Sequence, residues 1–249
     1  MVSLTTVGII QARMSSTRLP GKIIAPLAGR TALLDVLVQR LAGSGVPWWL
    51  ATTDHPSDDV TAEWGDTLGL EVFRGSEEDV LSRFTAIIDR TNADLVVRAT
   101  ADNPFTDGTI VRRLIELAKG ASERIDAITA PRCPRWFPLG FVPEVVRARS
   151  LLQLDYLLTD PLTVHRTHVT SALDPGAVAP YHDQSTPARP DWRWTVDTAE
   201  DLTMARAAFA AIGDGWETAT YQDIVRVLDR YPEICAMNQH VRQKPLEEG

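Results

Sequence analysis

The chain has 249 residues, of which 44% are hydrophobic and 23% charged, with a formal net charge of −8. That length can bury a sizeable core in one large α/β domain, while the acidic balance excludes generic nucleic-acid binding, which needs a basic footprint. Two cysteines make no disulfide framework and point to a reducing cytoplasm, and with no signal peptide and no bilayer-length apolar run, no membrane association is expected.

Val7-Gly8-Ile9-Ile10 is an apolar run that reads as a buried first strand. After the loop that follows it, Thr31 is placed to cap a helix carrying Leu33, Leu34, Leu37, Val38 and Leu41. Trp48–Thr52 reads as the second strand, Ser57 as the cap of a helix toward Leu68, and Val72-Phe73 as a short strand. A helix over Glu77–Arg90 and a central strand over Asp94–Ala99 come next. Thr106 then opens a helix toward Lys119, and Asp126–Thr129 is a strand. This alternation predicts a mostly parallel sheet with helices on both faces.

Residues 131–148 change character. Pro131, Pro134, Pro138 and Pro143 fall within thirteen residues. Proline at that density excludes a helix or central strand and predicts a functional loop or an interface arm. Helices are expected over Ser150–Thr159 and Thr163–Leu173, and a polar stretch over His182–Asp191. A strand over Trp192–Val196 and helices over Ala199–Ile212 and Thr220–Arg230 follow. The domain is expected to run over 1–240, with 241–249 a fraying polar tail.

The loop after the first strand reads Gln11-Ala12-Arg13-Met14-Ser15-Ser16-Thr17-Arg18-Leu19-Pro20-Gly21-Lys22. It carries three cations and three hydroxyls. Open α/β sheets bind ligands at the carboxyl ends of their strands, and a polyphosphate needs N–H groups, hydroxyls and Arg or Lys ends. The segment is not a Walker A loop, because Ser16 stands where a Gly is required and Ile23 where Ser or Thr is required. Asp102 follows the central strand and Asp197 a late one. Singly, the first is also what a turn before Asn103-Pro104 uses, and the second what a helix N-cap uses. Together with the basic loop, two carboxylates from separate strand ends suit Mg²⁺ on a nucleoside triphosphate. Arg13, Lys22 and Asp102 are the candidate catalytic residues, and Asp102 and Asp197 the candidate metal ligands.

The segment from Ile9 to Lys22 resembles the signature of CTP-dependent cytidylyltransferases, in particular those similar to spore coat polysaccharide cytidylyltransferases, whose relatives activate 3-deoxy-manno-octulosonate and sialic-type sugars. The likeness continues through Phe73–Phe84, Arg98–Pro104, Arg166–Thr170, Arg193–Asp197 and Glu200-Asp201-Leu202, so it spans residues 7–202 in order. It implies a nucleotide-diphospho-sugar transferase-like fold related to GT-A domains, commonly a homodimer. It implies that Ala12, Arg13, Ser15, Ser16, Arg18 and Lys22 hold the triphosphate of CTP. It also implies that Thr53, Asp54, Arg74, Gly75 and Ser76 lie near cytosine or ribose, and that Arg98 faces the crevice. The choice of cytosine rests on the resemblance alone.

Two departures bear on the acceptor. The family pattern Pro-x-Gly-x-Asp-x-Glu reads Pro138-Leu139-Gly140-Phe141-Val142-Pro143-Glu144, and Arg-Glu-His-Val-Thr reads Arg166-Thr167-His168-Val169-Thr170. Both changes remove an acid where an acceptor is expected. With Arg132, Arg135, Glu144, Arg166 and His168 as candidate acceptor residues, the expected acceptor is an anion: a sugar acid, a phosphonate or a phosphate. The alternative is that these arginines serve an interface or a solvated loop. A glycosyltransferase of the same architecture and a silent nucleotide-binding protein are the rival functions. Against the first, Asp102-Asn103-Pro104 lacks the second acid of an Asp-x-Asp motif. His165 and His168 have no third zinc ligand in sequence, Cys133 has no evident catalytic partner, and the strand tryptophans read as core.

Overall fold

The computed structural model describes residues 4–131 and 134–244. Arg132, Cys133 and the end of the tail therefore lie outside the described residues. The first strand, β1 (Thr6–Gln11), leads through the basic loop to a small hairpin, β2 (Pro26–Ala28) and β3 (Thr31–Ala32), and to α1 (Leu33–Leu41). Next come β4 (Trp48–Thr53), α2 (Asp59–Thr67), β5 (Glu71–Gly75), α3 (Val80–Thr91), β6 (Leu95–Thr100) and α4 (Gly108–Gly120). The second half holds β7 (Ala127–Thr129), β8 (Glu144–Arg147), α5 (Ala148–Leu157), α6 (Val164–Thr167) and β9 (Val178–Pro180). It ends with α7 (Ala199–Ile212), α8 (Tyr221–Leu228) and α9 (Pro232–Ala236).

The main sheet has seven strands in the order β5-β4-β1-β6-β8-β7-β9. Strands β5, β4, β1 and β6 are mutually parallel, and β8 runs antiparallel between β6 and β7. Buried strands alternate their side chains between two apolar layers. Ile10, Leu50, Leu95, Val97 and Ala99 pack with residues of α1, α4, α7 and α8. Val7, Ile9, Ala51, Val96 and Val146 pack with residues of α3 and α5. The expected mostly parallel sheet with helices on both faces is the fold. From β1 the chain moves outward to β4 and β5, then returns to β6 on the other side, so the topological switch point lies between β1 and β6, where such sheets form their ligand crevice.

Several local expectations are corrected. Thr31 lies in β3, and α1 starts with the Asp35 carboxylate accepting from Ala32 N at 3.3 Å. Asp107, not Thr106, caps α4 by accepting from Thr109 N and Ile110 N at 2.7 and 3.0 Å, while the Thr106 hydroxyl donates to Phe141 O. His55 caps a 3₁₀ turn over Pro56–Asp58, ahead of α2. The expected helix over 163–173 is only α6, because Val169 has φ of 54°, a left-handed conformation that costs a β-branched residue dearly. Trp192–Val196 is extended but forms no strand. Its backbone bonds Leu139 on one stretch and Asp102 O on the next, so no continuous ladder forms.

The largest correction concerns 131–148. Residues 144–147 form β8 inside the sheet, and 136–143 pack against the core rather than standing out as an arm. Phe137 and Phe141 are buried. Phe137 stacks on Tyr181 at 5.5 Å, and Phe141 meets the Trp194 ring edge-on at 5.6 Å. Aromatic burial outweighs the proline signal here. Trp194 is fully buried, as expected, and Trp136 donates to Thr186 Oγ1 within the chain.

Gly140 joins this loop to the crevice. Its φ is +89°, and a Cβ there would lie 2.5 Å from Asn103 Oδ1 and 2.8 Å from Thr195 N. Gly140→Ala is expected to lower stability by about 1–3 kcal/mol, read from urea unfolding. It should also lower turnover, because both clashing neighbours flank the acids described next.

Candidate active site

The basic loop leaves β1 at the sheet's carboxyl edge. Ala12 N donates to Ala51 O at 3.1 Å and Met14 N to the Asp58 carboxylate at 2.7 Å, which fastens the loop to β4 and the turn after it. Asp58 is fully buried and also accepts from the hydroxyls of Thr53 and Thr61. Gly21, with φ of 71°, turns the chain inward, and the buried Ile23 anchors the far end. This geometry drives Lys22 below the crevice.

There Lys22 Nζ donates to Asp102 Oδ2 at 2.9 Å, Asp197 Oδ1 at 3.0 Å and Val196 O at 2.8 Å. Residues separated by 80 and 175 positions thus meet at one ammonium. Asp102 also accepts from the Thr100 hydroxyl at 2.7 Å, which in turn accepts from Asn103 Nδ2. Asp197 Oδ2 faces Arg18 at 3.0 Å and Arg193 at 2.7 Å. Burial alone would push the Lys22 ammonium down, but Asp102 and Asp197 outweigh it and hold its pKa above the ordinary 10.5. Burial would likewise raise the Asp102 carboxyl, and Lys22 and Thr100 reverse that, keeping it ionised below the usual carboxylate range.

Beside this centre is a cleft of about 570 Å³ lined by Arg13, Asp54, Ser76, Glu77 and Glu78. Arg13 pairs with Glu77 at 3.2 Å, and the Ser15 hydroxyl donates to the same oxygen. Asp54 N bonds Gly75 O at 2.9 Å, closing the ends of β4 and β5. Arg74 bonds Thr53 O and pairs with Asp59. Ser16 Oγ accepts from Leu19 N inside the loop.

A third group occupies the α3/α5 face of the same edge. Arg98 Nη1 donates to Glu144 Oε2 at 2.8 Å and Nη2 to Gln11 Oε1 at 3.1 Å, while the Thr170 hydroxyl donates to Glu144 at 2.9 Å. Arg166 is elsewhere. It is buried, pairs with Asp79 at 2.7 Å and with Asp155, and donates to the Asp155 and Leu158 carbonyls, locking α6 to α3 and α5. His168 caps the end of α6, half-buried, and Arg135 is exposed. Among the described residues no cluster of three or more His, Cys, Asp or Glu forms a metal cage.

Sequence reasoning missed Gln11, Glu77, Glu78, Arg193 and Asp201 as parts of this region. Asp201 had a signal, since Thr198-x-x-Asp201 is a capping box. It is fully buried and accepts from Arg193, Asn238 Nδ2, and the backbone of Asp197 and Thr198, so it aims Arg193 at Asp197. Burial raises its pKa, but Arg193 and the other donors prevail and depress it below 3.8. A depressed carboxyl stabilises the fold above its unfolded pKa and loses that contribution as pH falls through the folded value. Asp201→Asn should therefore cost about 3–5 kcal/mol near neutrality. Its stability curve should converge on the wild type as pH drops below about 4, as followed by denaturant melts across pH.

Comparison with known proteins agrees with this geometry. A family profile for cytidylyltransferases matches residues 7–135. The spore coat polysaccharide biosynthesis protein SpsF of Bacillus subtilis is 34% identical over 241 residues, covering 91% of this chain and 95% of that protein. A solved cytidylyltransferase from Leptospira borgpetersenii superposes with a TM-score of 0.86 at 28% identity, covering 98% of this chain and all of that one. A CMP:2-keto-3-deoxy-manno-octonic acid synthetase complexed with CTP shares the fold at a TM-score of 0.61 and 16% identity, covering 83% of this chain and 98% of its own. The chain belongs to the cytidylyltransferase family and is a CTP-dependent nucleotidyltransferase.

Proposed function

We propose that the enzyme transfers CMP from CTP to an anionic acceptor, with release of pyrophosphate and with Mg²⁺ held by Asp102 and Asp197. The observation that carries this reading is the meeting of both carboxylates, within 3.0 Å, at the Lys22 ammonium on the switch-point edge of the sheet. Hard oxygen donors from two separate strand ends fit Mg²⁺, with phosphate oxygens and water completing the shell. When bound, the ion neutralises phosphate charge and polarises the attacked phosphorus.

The protein's own groups supply the rest. Arg13, Lys22 and Arg18, with the hydroxyls of Ser15 and Ser16, hold the triphosphate and stabilise the departing pyrophosphate. The cleft formed by Asp54, Ser76 and their neighbours takes the nucleoside. Arg98 lies two residues before Thr100 on the same face of β6, and Thr100 bonds Asp102, so the Arg98–Glu144 pair is the group that receives the acceptor. An acceptor that is already an anion attacks in line without a general base, and catalysis rests on positioning. The name of the B. subtilis relative supports a sugar-derived acid, with a phosphonate or phosphate as the smaller alternative. Arg166 pairs with Asp79 and Asp155 within the fold, which moves the acceptor reading onto Arg98 and Glu144.

Among the described residues no helix is long and apolar enough to cross a membrane. The exposed Leu152, Tyr156, Leu157 and Leu162 support assembly as a homodimer, and the cysteine usage supports a cytoplasmic setting.

Incubation with CTP, Mg²⁺ and a panel of sugar acids and phosphonates should release pyrophosphate with the true acceptor. A glycosyltransferase would instead consume a finished nucleotide-sugar, and a silent binding protein would turn over nothing. Arg13→Ala should lower turnover at least about tenfold, the worth of one charge-assisted hydrogen bond. Asp102→Asn should shift the Mg²⁺ dependence to higher concentration. Glu77→Gln removes the carboxylate that occupies Arg13 and Ser15, and should lower the KM for CTP.

A further inference from the structure

Every ligand-binding atom at the centre of the site is already engaged. The Lys22 ammonium has three N–H donors, and all three meet acceptors: Asp102 Oδ2, Asp197 Oδ1 and Val196 O. The other Asp102 oxygen accepts from Thr100, and the other Asp197 oxygen holds Arg18 and Arg193. The charges also balance. Arg18, Lys22 and Arg193 face Asp102, Asp197 and Asp201. Lys22 therefore cannot hold a phosphate without giving up a partner, and a metal ion on either acid would sit directly against its ammonium.

We infer that Lys22 is a built-in counter-cation for the metal site, so that metal and triphosphate are taken up together by exchange and neither binds well alone. A divalent ion entering by itself would push Lys22 off both carboxylates. It would leave a buried ammonium without its counter-charges beside Arg18 and Arg193, with two extra positive charges among three cations. A triphosphate entering by itself would draw Lys22 and Arg18 away and then face Asp102 without its cation and Asp197 held by Arg193 alone. When both enter, the metal takes the carboxylates, the freed ammonium takes phosphate oxygens, and every charge stays paired. The buried placement of Lys22, with a side chain only 9% exposed, makes the coupling strong, because solvent screens little there. By reciprocity, each ligand raises the other's affinity by the same factor.

This inference rests on the nucleotidyl-transfer reading above, and its test separates the two. Mn²⁺ is titrated into nucleotide-free protein and free Mn²⁺ is read by electron paramagnetic resonance, for wild type, Lys22→Met, Lys22→Gln and the Lys22→Met/Asp102→Asn double variant, each first checked for folding by circular dichroism. Either single variant should gain a Mn²⁺ site at least about tenfold tighter than wild type, and the double variant should lose it. Wild type binding Mn²⁺ as tightly as the folded lysine variants would overturn the inference, and so would persistence of the new site in the double variant. That result would leave CMP transfer untouched, since no nucleotide is present. A wild type that fails to take up CTP in calorimetry with Mg²⁺ would overturn the transfer reading, and coupled uptake with it.

Discussion

One buried ammonium organises this protein. Lys22 comes from the loop after the first strand, Asp102 from the turn after β6, and Asp197 from the entry to α7, and the three meet within 3.0 Å. A carboxylate or ammonium taken out of water is costly unless paired, so each is fixed by the other two. The surrounding structure serves that meeting. Gly21 turns the loop inward, Ile23 anchors it, Asp201 orients Arg193, and Gly140 lets the mid-chain loop pass close under Asn103 and Thr195.

The arrangement explains how one crevice can serve three ligands. In the proposed function the centre takes phosphate and metal, the cleft at the ends of β4 and β5 takes the nucleoside, and the Arg98–Glu144 pair takes the acceptor from the α3/α5 side. All three open at the carboxyl ends of the parallel strands, where β1 and β6 diverge to opposite connections. Each of these cations is neutralised locally: Arg13 by Glu77, Lys22 by two aspartates, Arg98 by Glu144. The inferred binding is thus an exchange of ion pairs rather than the filling of a bare positive pocket, which accords with a chain of net charge −8.

The parallel half of the sheet was legible because its strands are apolar runs alternating with amphipathic helices, even where their caps were misplaced, and α7 begins and ends where the pattern places it. The convergence of Lys22, Asp102 and Asp197 was legible as well, since the fold rule puts residues after parallel strands into one crevice. What failed to show was set by tertiary contacts. Glycine and aromatic packing hold 136–143 against the core, and β8 follows directly on Pro143. Val169 breaks a helical pattern by adopting a positive φ, placed so that the adjacent Thr170 hydroxyl reaches Glu144. Arg166 entered as an acceptor candidate through the Arg166–Thr170 segment, and its pairing with Asp79, 87 positions away, carries no sign in the sequence.

The most direct measurement is a crystal structure with Mg²⁺ and a non-hydrolysable CTP analogue. The account predicts an ion about 2.1 Å from oxygens of both Asp102 and Asp197, the triphosphate along residues 13–22, and Lys22 Nζ moved from the carboxylates to a phosphate. A triphosphate bound away from that loop, or a Lys22 still seated between the two aspartates with the nucleotide in place, would contradict it.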